Sequence, residues 1–241
     1  MKLNRVNIKT IAEIELMRQS GKLLAKVFSM LDQKVALGVS TMQINDWVEH
    51  FIVNELKARP ASLGQYDYPY SLNTSVNEVV CHGMPDADYF LKDGDIVNVD
   101  ITLEKNGFIA DSSKTYLIGA VSQSAKALVS ATYDAMYEGI KCVRPGGHLG
   151  DIGNAISHLA QSKGYSVVRE YCGHGIGKKM HEAPDVMHYG RAGSGIELQA
   201  GMTFTIEPMI NAGSRKTKLN KDGWTVVTAD KKLYAQWEHT I

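Results

Sequence analysis

Leu91-Lys92-Asp93-Gly94-Asp95-Ile96-Val97-Asn98-Val99-Asp100 returns later in the chain as Leu198-Gln199-Ala200-Gly201-Met202-Thr203-Phe204-Thr205-Ile206-Glu207. Each copy runs leucine, two residues, glycine, a β-type stretch, and an acid six residues after the glycine. One acid closing an apolar strand is unusual. Two at the same spacing predict a pseudo-symmetric site whose halves hold positive charge between them.

The flanks repeat as well. Ahead of the first copy, Thr10 with Glu13 and Ser40 with Gln43 each spell a capping box. Behind the first box, Ile11, Ile14, Met17, Gly21, Leu24, Phe28 and Leu31 keep helical spacing. Ile44, Trp47, Val48, Phe51, Ile52 and Leu56 do so behind the second. Residues 60–75, with Pro60, Gly64 and Pro69 among tyrosines, read as loop. β segments follow at 76–81, 96–103 and 108–118, the last two joined at Asn106-Gly107, a strong hairpin signal. Helices are predicted at about 122–142 and 148–163, split by Arg144-Pro145-Gly146-Gly147, and strand-like pieces near 165–171, 202–210, 223–228 and 233–241. The order is helix, helix, strands, twice over. It predicts one α+β domain over residues 1–241, made of two similar halves.

Bulk composition narrows the function classes. The 26 basic and 26 acidic side chains cancel, so nothing global argues for a nucleic-acid or membrane partner. The first seven residues lack the apolar core of a signal peptide, and no run approaches the roughly 18 apolar residues of a membrane span. Cys81, Cys142 and Cys172 form no CxxC pattern, which predicts a reduced, cytoplasmic protein.

If Asn106-Gly107 is a two-residue turn, Lys105 pairs with Phe108 and Thr102 with Asp111. Asp100 and Asp111 then sit diagonally on one sheet face, with α-carbons about 7–8 Å apart. Val97, Val99, Ile101 and Leu103 take the other face. Two carboxylates that close repel unless one is protonated or a cation bridges them; the competing reading is two solvated acids on an open face. Tyr171-Cys172-Gly173-His174-Gly175-Ile176-Gly177 wraps a histidine in glycines, and Val80-Cys81-His82-Gly83 resembles it in the first half. His82 and His174 are therefore candidate site histidines, with His181 following. Glu207 precedes Pro208, and Glu238 lies in Gln236-Trp237-Glu238-His239-Thr240. Together with Asp100, Asp111 and His174 they offer oxygen-rich ligation with one imidazole. That donor set suits a pair of divalent first-row ions such as Mn, Fe, Co or Zn. No GxSxG, GxxxxGK[ST] or HExxH motif competes.

At this point the chain resembles the methionine aminopeptidase family in its short bacterial type I form, which has the pita-bread fold. The resemblance runs from about Arg5 to the end. It rests on Asn77-Glu78-Val79-Val80-Cys81-His82-Gly83, Asp93 to Asp100, Gly173-His174-Gly175-Ile176-Gly177, Thr205-Ile206-Glu207-Pro208, Asp222-Gly223-Trp224-Thr225 and Gln236 to Thr240. It implies an antiparallel sheet with flanking helices, and two divalent ions (Co, Mn, Fe, Ni or Zn) on Asp100, Asp111, His174, Glu207 and Glu238. Asp111 and Glu238 bridge them, and the resemblance also implies a structural monovalent cation. It implies Glu207 as proton carrier, and His82 and His181 as hydrogen-bond donors to the substrate and the tetrahedral intermediate. It also implies a methionine pocket of Tyr68, Asn73, Cys81, Met180 and Trp224, and a substrate held by its free α-amine. The implied activity is removal of the initiator methionine from nascent chains with a small second residue, by a monomer.

The chain departs from the family at several points. Met180 stands where an aromatic is usual, Gln65 replaces a tyrosine, and Ile109-Ala110 replaces a His-Gly pair before Asp111. These changes spare the ligand set and bear on pocket shape, substrate preference and rate. For Met180 the plain alternative is core filling, which thioethers do well. Only three residues follow Glu238, so it is expected near a fraying end. Arg215, Lys216, Lys218 and Lys221 form a basic loop, solvated by default, which in bacterial relatives is linked to docking at the ribosome. Two other functions compete. One is another pita-bread hydrolase, Xaa-Pro peptidase-like or creatinase-like, which carries a large extra N-terminal domain. The other is a divergent paralogue with altered activity or a binding role.

Overall fold

The computed structural model describes residues 6–241. The stretch read against a signal peptide lies mostly outside the described residues. Helix α1 spans Ile11–Leu31 and α2 spans Thr41–His50, each opened by the expected capping box with both reciprocal bonds made. The face α1 buries is Met17, Ser20, Leu24, Val27 and Leu31. Ile11, placed on that face by spacing, is 88% exposed because the helix meets the sheet only from its second turn on. Beyond α2 the chain widens into a π-helical turn over Phe51–Glu55.

The strands of the first half are β1 (Arg59–Pro60), β2 (Leu72–Val76), β3 (Val79–Cys81), β4 (Ile96–Lys105) and β5 (Phe108–Leu117). Helices α3 (Gln123–Lys141) and α4 (Leu149–Ser162) follow. The second half adds β6 (Ser166–Val167), β7 (Gly173–Gly175), β8 (Glu182–Val186), β9 (Thr205–Ile206) and β10 (Met209–Asn211). It ends with β11 (Thr217–Leu219), β12 (Val226–Thr228), β13 (Tyr234–Gln236) and β14 (Glu238–Thr240). The segment expected as loop contains β2, which pairs antiparallel with β4 from Leu72↔Ile101 to Val76↔Val97.

The central sheet runs β1-β4-β5-β14-β9, with β2 also on β4, so strands of both halves share one sheet. Under the first half, Val97, Val99, Ile101 and Leu103 are fully buried against Leu24, Val27, Leu31, Ile44 and Val48 of α1 and α2. Under the second, Leu128, Met136, Ile152 and Ile156 of α3 and α4 pack on Phe204, Ile206 and Ile210. At about 25 cal/mol per Å² of apolar surface removed from water, these two layers dominate the folding energy. β14 lies between β5 and β9, and Ile241 and Phe204 exchange both backbone hydrogen bonds. Glu238 is thus pinned on both sides and 2% exposed, which corrects the expectation of a fraying end. Among the described residues no helix is long and apolar enough to cross a membrane.

Candidate metal centre

The β4–β5 hairpin has the register that Asn106-Gly107 predicts, with Lys105↔Phe108 and Thr102↔Asp111. Both turn residues take positive φ, 55° and 79°, as a type I′ turn requires. Asn98, Asp100 and Thr102 therefore share a face with Asp111 and Ser113. That face is not solvated: β13 covers it, and Asn98 donates through Nδ2 to the Gln236 carbonyl at 2.9 Å and to Ser113 Oγ at 3.2 Å. Asp111 is 6%, Glu207 7% and Glu238 2% exposed, while Asp100 is half-buried at the rim. The open-face alternative is thereby set aside.

His174 comes from β7. The glycines around it permit a close backbone approach: a Cβ on Gly173 would strike the Thr205 carbonyl, and one on Gly175 the Ala183 carbonyl. The His174 N–H donates to Thr205 Oγ1 at 2.9 Å. Its Nδ1 is 3.0 Å from the Gly175 carbonyl, a bond that assigns the proton to Nδ1 and turns a lone pair on Nε2 toward the acids. Nε2 lies 3.6 Å from Glu207 Oε1 and 3.8 Å from Asp111 Oδ2. Asp111, His174 and Glu238 each offer a ligand atom within 4.8 Å of the others. Asp100 and Glu207 line the same cleft outside that tight set.

Electrostatics give this arrangement a purpose. Burial pushes Asp100 up to about 6 and Glu207 up to about 8. Burial, then the neighbouring acids, push Asp111 and Glu238 well above the carboxylate range. Burial, then His181, lowers His174 to about 4. Among the described residues no lysine or arginine pairs with any of the four acids. Asp111 Oδ1 is buried with no hydrogen-bond donor. Three buried acids and one half-buried, a neutral imidazole with a free lone pair and an undonated carboxylate oxygen fit divalent cations.

Acids whose pKa is raised by folding stabilise the folded state below their unfolded pKa and lose that contribution as pH rises through the folded value. The depressed His174 acts oppositely, stabilising above its unfolded pKa and losing the contribution as pH falls. Metal-free protein should therefore lose melting temperature between about pH 6 and pH 8. A divalent ion should restore it, because the ion takes the place of the protons. Calorimetry of chelated and metal-loaded protein across that range checks this; equal pH slopes would contradict it.

A cleft of about 890 Å³ opens over these groups. It is lined by every candidate named from sequence except Cys81, and by Gln65. Cys81 is buried in a cluster with Val80, Val168, Val226 and Tyr234, on strand β3 beside β12. Tyr68 meets Trp224 edge-on at 5.0 Å. Met180 both lines the cleft and packs with Met17, Phe108, Ile109 and Ile176, so its pocket and core readings describe one position. Ile109 supports Met180 from that cluster, whereas Ala110 belongs to the core behind the sheet. His82, at φ 55°, meets the Tyr171 ring at 5.8 Å. His181 is exposed; its ring centroid is 4.3 Å from that of His174 and stacks under Tyr66 at 5.9 Å. Arg215, Lys216, Lys218 and Lys221 are exposed on the β11–β12 hairpin, a paired structure where a loop was expected, and Arg215 lies 3.6 Å from Glu170.

Sequence reading missed the residues that hold the acids. Thr205 donates to Glu207 Oε1 at 2.7 Å, and Gln236 to Oε2 at 3.4 Å. Both stand two residues before an acid on a strand, as Asn98 does before Asp100, so the period of two contains the signal. His188, buried, accepts the Glu207 N–H at 3.1 Å; no sequence pattern marks it. Tyr66, Tyr171 and Cys172 of the lining were missed as well.

Comparison with known proteins bears on what this centre does. The model of metallopeptidase family M24 matches residues 15–241. A methionine aminopeptidase of Salmonella typhimurium is 49% identical over 236 residues, 98% of this chain and 89% of that one. The crystal structure of methionine aminopeptidase from Rickettsia prowazekii superposes with a TM-score of 0.96 at 48% identity, covering 98% of this chain and 95% of that one. A prolidase from Thermococcus sibiricus, 22% identical, has a TM-score of 0.77 over 98% of this chain and 57% of its own; it shares the pita-bread fold alone.

Proposed function

Because the chain belongs to metallopeptidase family M24, and within it to the methionine aminopeptidases, we propose that its cleft removes N-terminal methionine from nascent chains with a small second residue. The observation that carries this is the buried Asp111–His174–Glu238 set, with an undonated Asp111 oxygen, at the floor of an aromatic-walled cleft. The fold-level likeness to a prolidase does not favour the Xaa-Pro reading.

Asp100, Asp111, His174, Glu207 and Glu238 would hold two divalent ions. Bound there, such ions supply the Lewis acidity that activates water and polarises a carbonyl. The chain's own residues do the rest. Glu207, fixed by Thr205 and Gln236, carries a proton from the attacking water to the departing amine. His82 and His181 flank the floor and donate hydrogen bonds to the peptide and to the oxygen that gains charge. Tyr68, Trp224 and Met180 hold the methionine side chain and Asn73, paired with Asp100 across β2 and β4, holds the rim. We read residues 1–241 as a single catalytic domain acting as a monomer in the cytoplasm, where nascent chains arise. Metal analysis together with hydrolysis of a Met-Ala-Ser peptide tests the assignment; release of Ser from the other end, or equal cleavage after N-acetylation, would overturn it.

Met180→Phe restores an aromatic wall. It should change kcat/KM for methionine peptides by about 1–3 kcal/mol, the scale of a fitted apolar pocket. Kinetics with methionine, norleucine and leucine substrates check this; no change in any of them would leave Met180 as core alone. The exposed Arg215, Lys216, Lys218 and Lys221 remain our proposed contact with ribosomal RNA, since phosphate contacts weaken steeply with salt. Charge reversal at all four should reduce co-sedimentation with ribosomes at low salt and spare cleavage of a short peptide. Equal pelleting would make the hairpin plain solvated surface.

A further inference from the structure

Met180 and His181 sit on a six-residue loop, 176–181, that the β7–β8 ladder leaves out between Gly175 and Glu182. Glu182 closes it. Its Oε1 accepts the N–H groups of Lys178 at 3.1 Å and Lys179 at 3.2 Å, so the carboxylate gathers the loop's own backbone. Its Oε2 faces the other end of the chain, accepting from Lys9 Nζ at 2.6 Å and Asn7 Nδ2 at 2.9 Å. The Lys9 and Glu182 side chains are only 5% and 7% exposed. Lys9 is itself fixed: its N–H donates to the Gly201 carbonyl at 2.7 Å, and its stem crosses Gly177, where a Cβ would collide with Cε. A second tie runs from Lys178 to Glu13 at 3.2 Å. The His174 backbone is held by Thr205, off the loop, although its ring meets His181 at 4.3 Å.

We propose that Lys9 is a positioning residue: through its buried ion pair with Glu182 it sets Met180 and His181 against the cleft, so the N-terminal segment helps determine turnover and side-chain selectivity. The proposal rests on the functional reading above. Burial raises the Glu182 carboxyl, and the bonds from Lys9, Asn7 and Lys179 outweigh it, leaving the group below its ordinary value and charged. A buried ion pair is weak evidence of stabilisation, because desolvation offsets the attraction. Precision of the loop is a better account of its use: displacing a substrate-positioning group by about 1 Å can cost 10²-fold in rate.

The test uses full-length protein and two variants, Lys9→Met and the double Lys9→Met/Glu182→Gln. The double variant leaves no unpaired buried charge and keeps a carbonyl at 182 for the Lys178 and Lys179 amides, so it is expected to recover the melting temperature. Three measurements are made: amide hydrogen exchange at Lys178 and Lys179, Mn²⁺ affinity, and kcat/KM for methionine and norleucine peptides. In both variants exchange should accelerate about tenfold or more, and kcat/KM should fall about tenfold to a hundredfold with a changed methionine-to-norleucine ratio. Mn²⁺ affinity should stay within about threefold, since the ligands lie off the loop. Unchanged exchange overturns the anchor. Faster exchange with wild-type kcat/KM, or wild-type kcat/KM in the double variant, overturns the positioning role. Should the wild-type protein fail to cleave methionine peptides, the functional reading falls and the positioning role with it, while exchange still decides whether Lys9 holds the loop.

Discussion

His174→Ala is expected to lower kcat/KM on methionine peptides on the order of 10³-fold, at roughly 1.4 kcal/mol per factor of ten. His174 faces Asp111 and Glu207, and its Nε2 lone pair is aimed by the Nδ1 bond to Gly175. Alanine removes that lone pair without replacing it. Two readouts check it together. Peptide hydrolysis should fall by that factor, and metal content after dialysis should drop by at least part of one ion per chain. Wild-type turnover in a chelated, metal-free sample would remove the whole basis for the prediction, and so would a His174→Ala enzyme with unaltered kcat/KM.

Glu207→Gln is expected to cost roughly 10²–10⁴ in kcat, the usual contribution of a positioned proton carrier. The side chain keeps its shape, and the Thr205 hydroxyl still has a carbonyl-type acceptor at Oε1. What is lost is a titrating carboxylate. KM should move far less than kcat, because the walls of the cleft are unchanged. The kcat–pH profile separates proton transfer from weakened ligation. With Glu207 as carrier, the limb that reports its ionisation should vanish in the variant. A variant that keeps the wild-type profile, merely scaled down or shifted in metal requirement, would mean that Glu207 serves only as a ligand.

The hairpin was legible in the sequence because its determinants are local. Asn106-Gly107 sets the turn, the turn sets the register, and the register puts Asp111 diagonal to Asp100. The two capping boxes likewise fix the starts of α1 and α2 from four residues each. The burial of the acids was less legible. Alternation along β4 shows only that one face is polar, and a polar face ordinarily meets water. Here a residue from the far end of the chain, Gln236 on β13, covers it, while β14 extends the sheet beside β5. β2 escaped notice because Leu72–Val76 follows a tyrosine- and proline-rich stretch and gains its order from β4 rather than from its own pattern. The short strands of two or three residues carry too few positions to show any period. Lys9 and Glu182, 173 positions apart, offer no spacing at all.

The insertion of β14 between β5 and β9 also has a temporal meaning. A polypeptide made from its N-terminus acquires Asp100, Asp111, His174 and Glu207 in turn, and meanwhile the β5 edge stands open. Open edges invite pairing with other chains. One event, the arrival of residues 238–240, seals that edge and delivers the last acid to the centre. Until then the growing chain is both vulnerable to association and unable to assemble its full ligand set. Maturation of the catalyst and closure of its most exposed seam are therefore a single step, taken only after translation has passed Glu238.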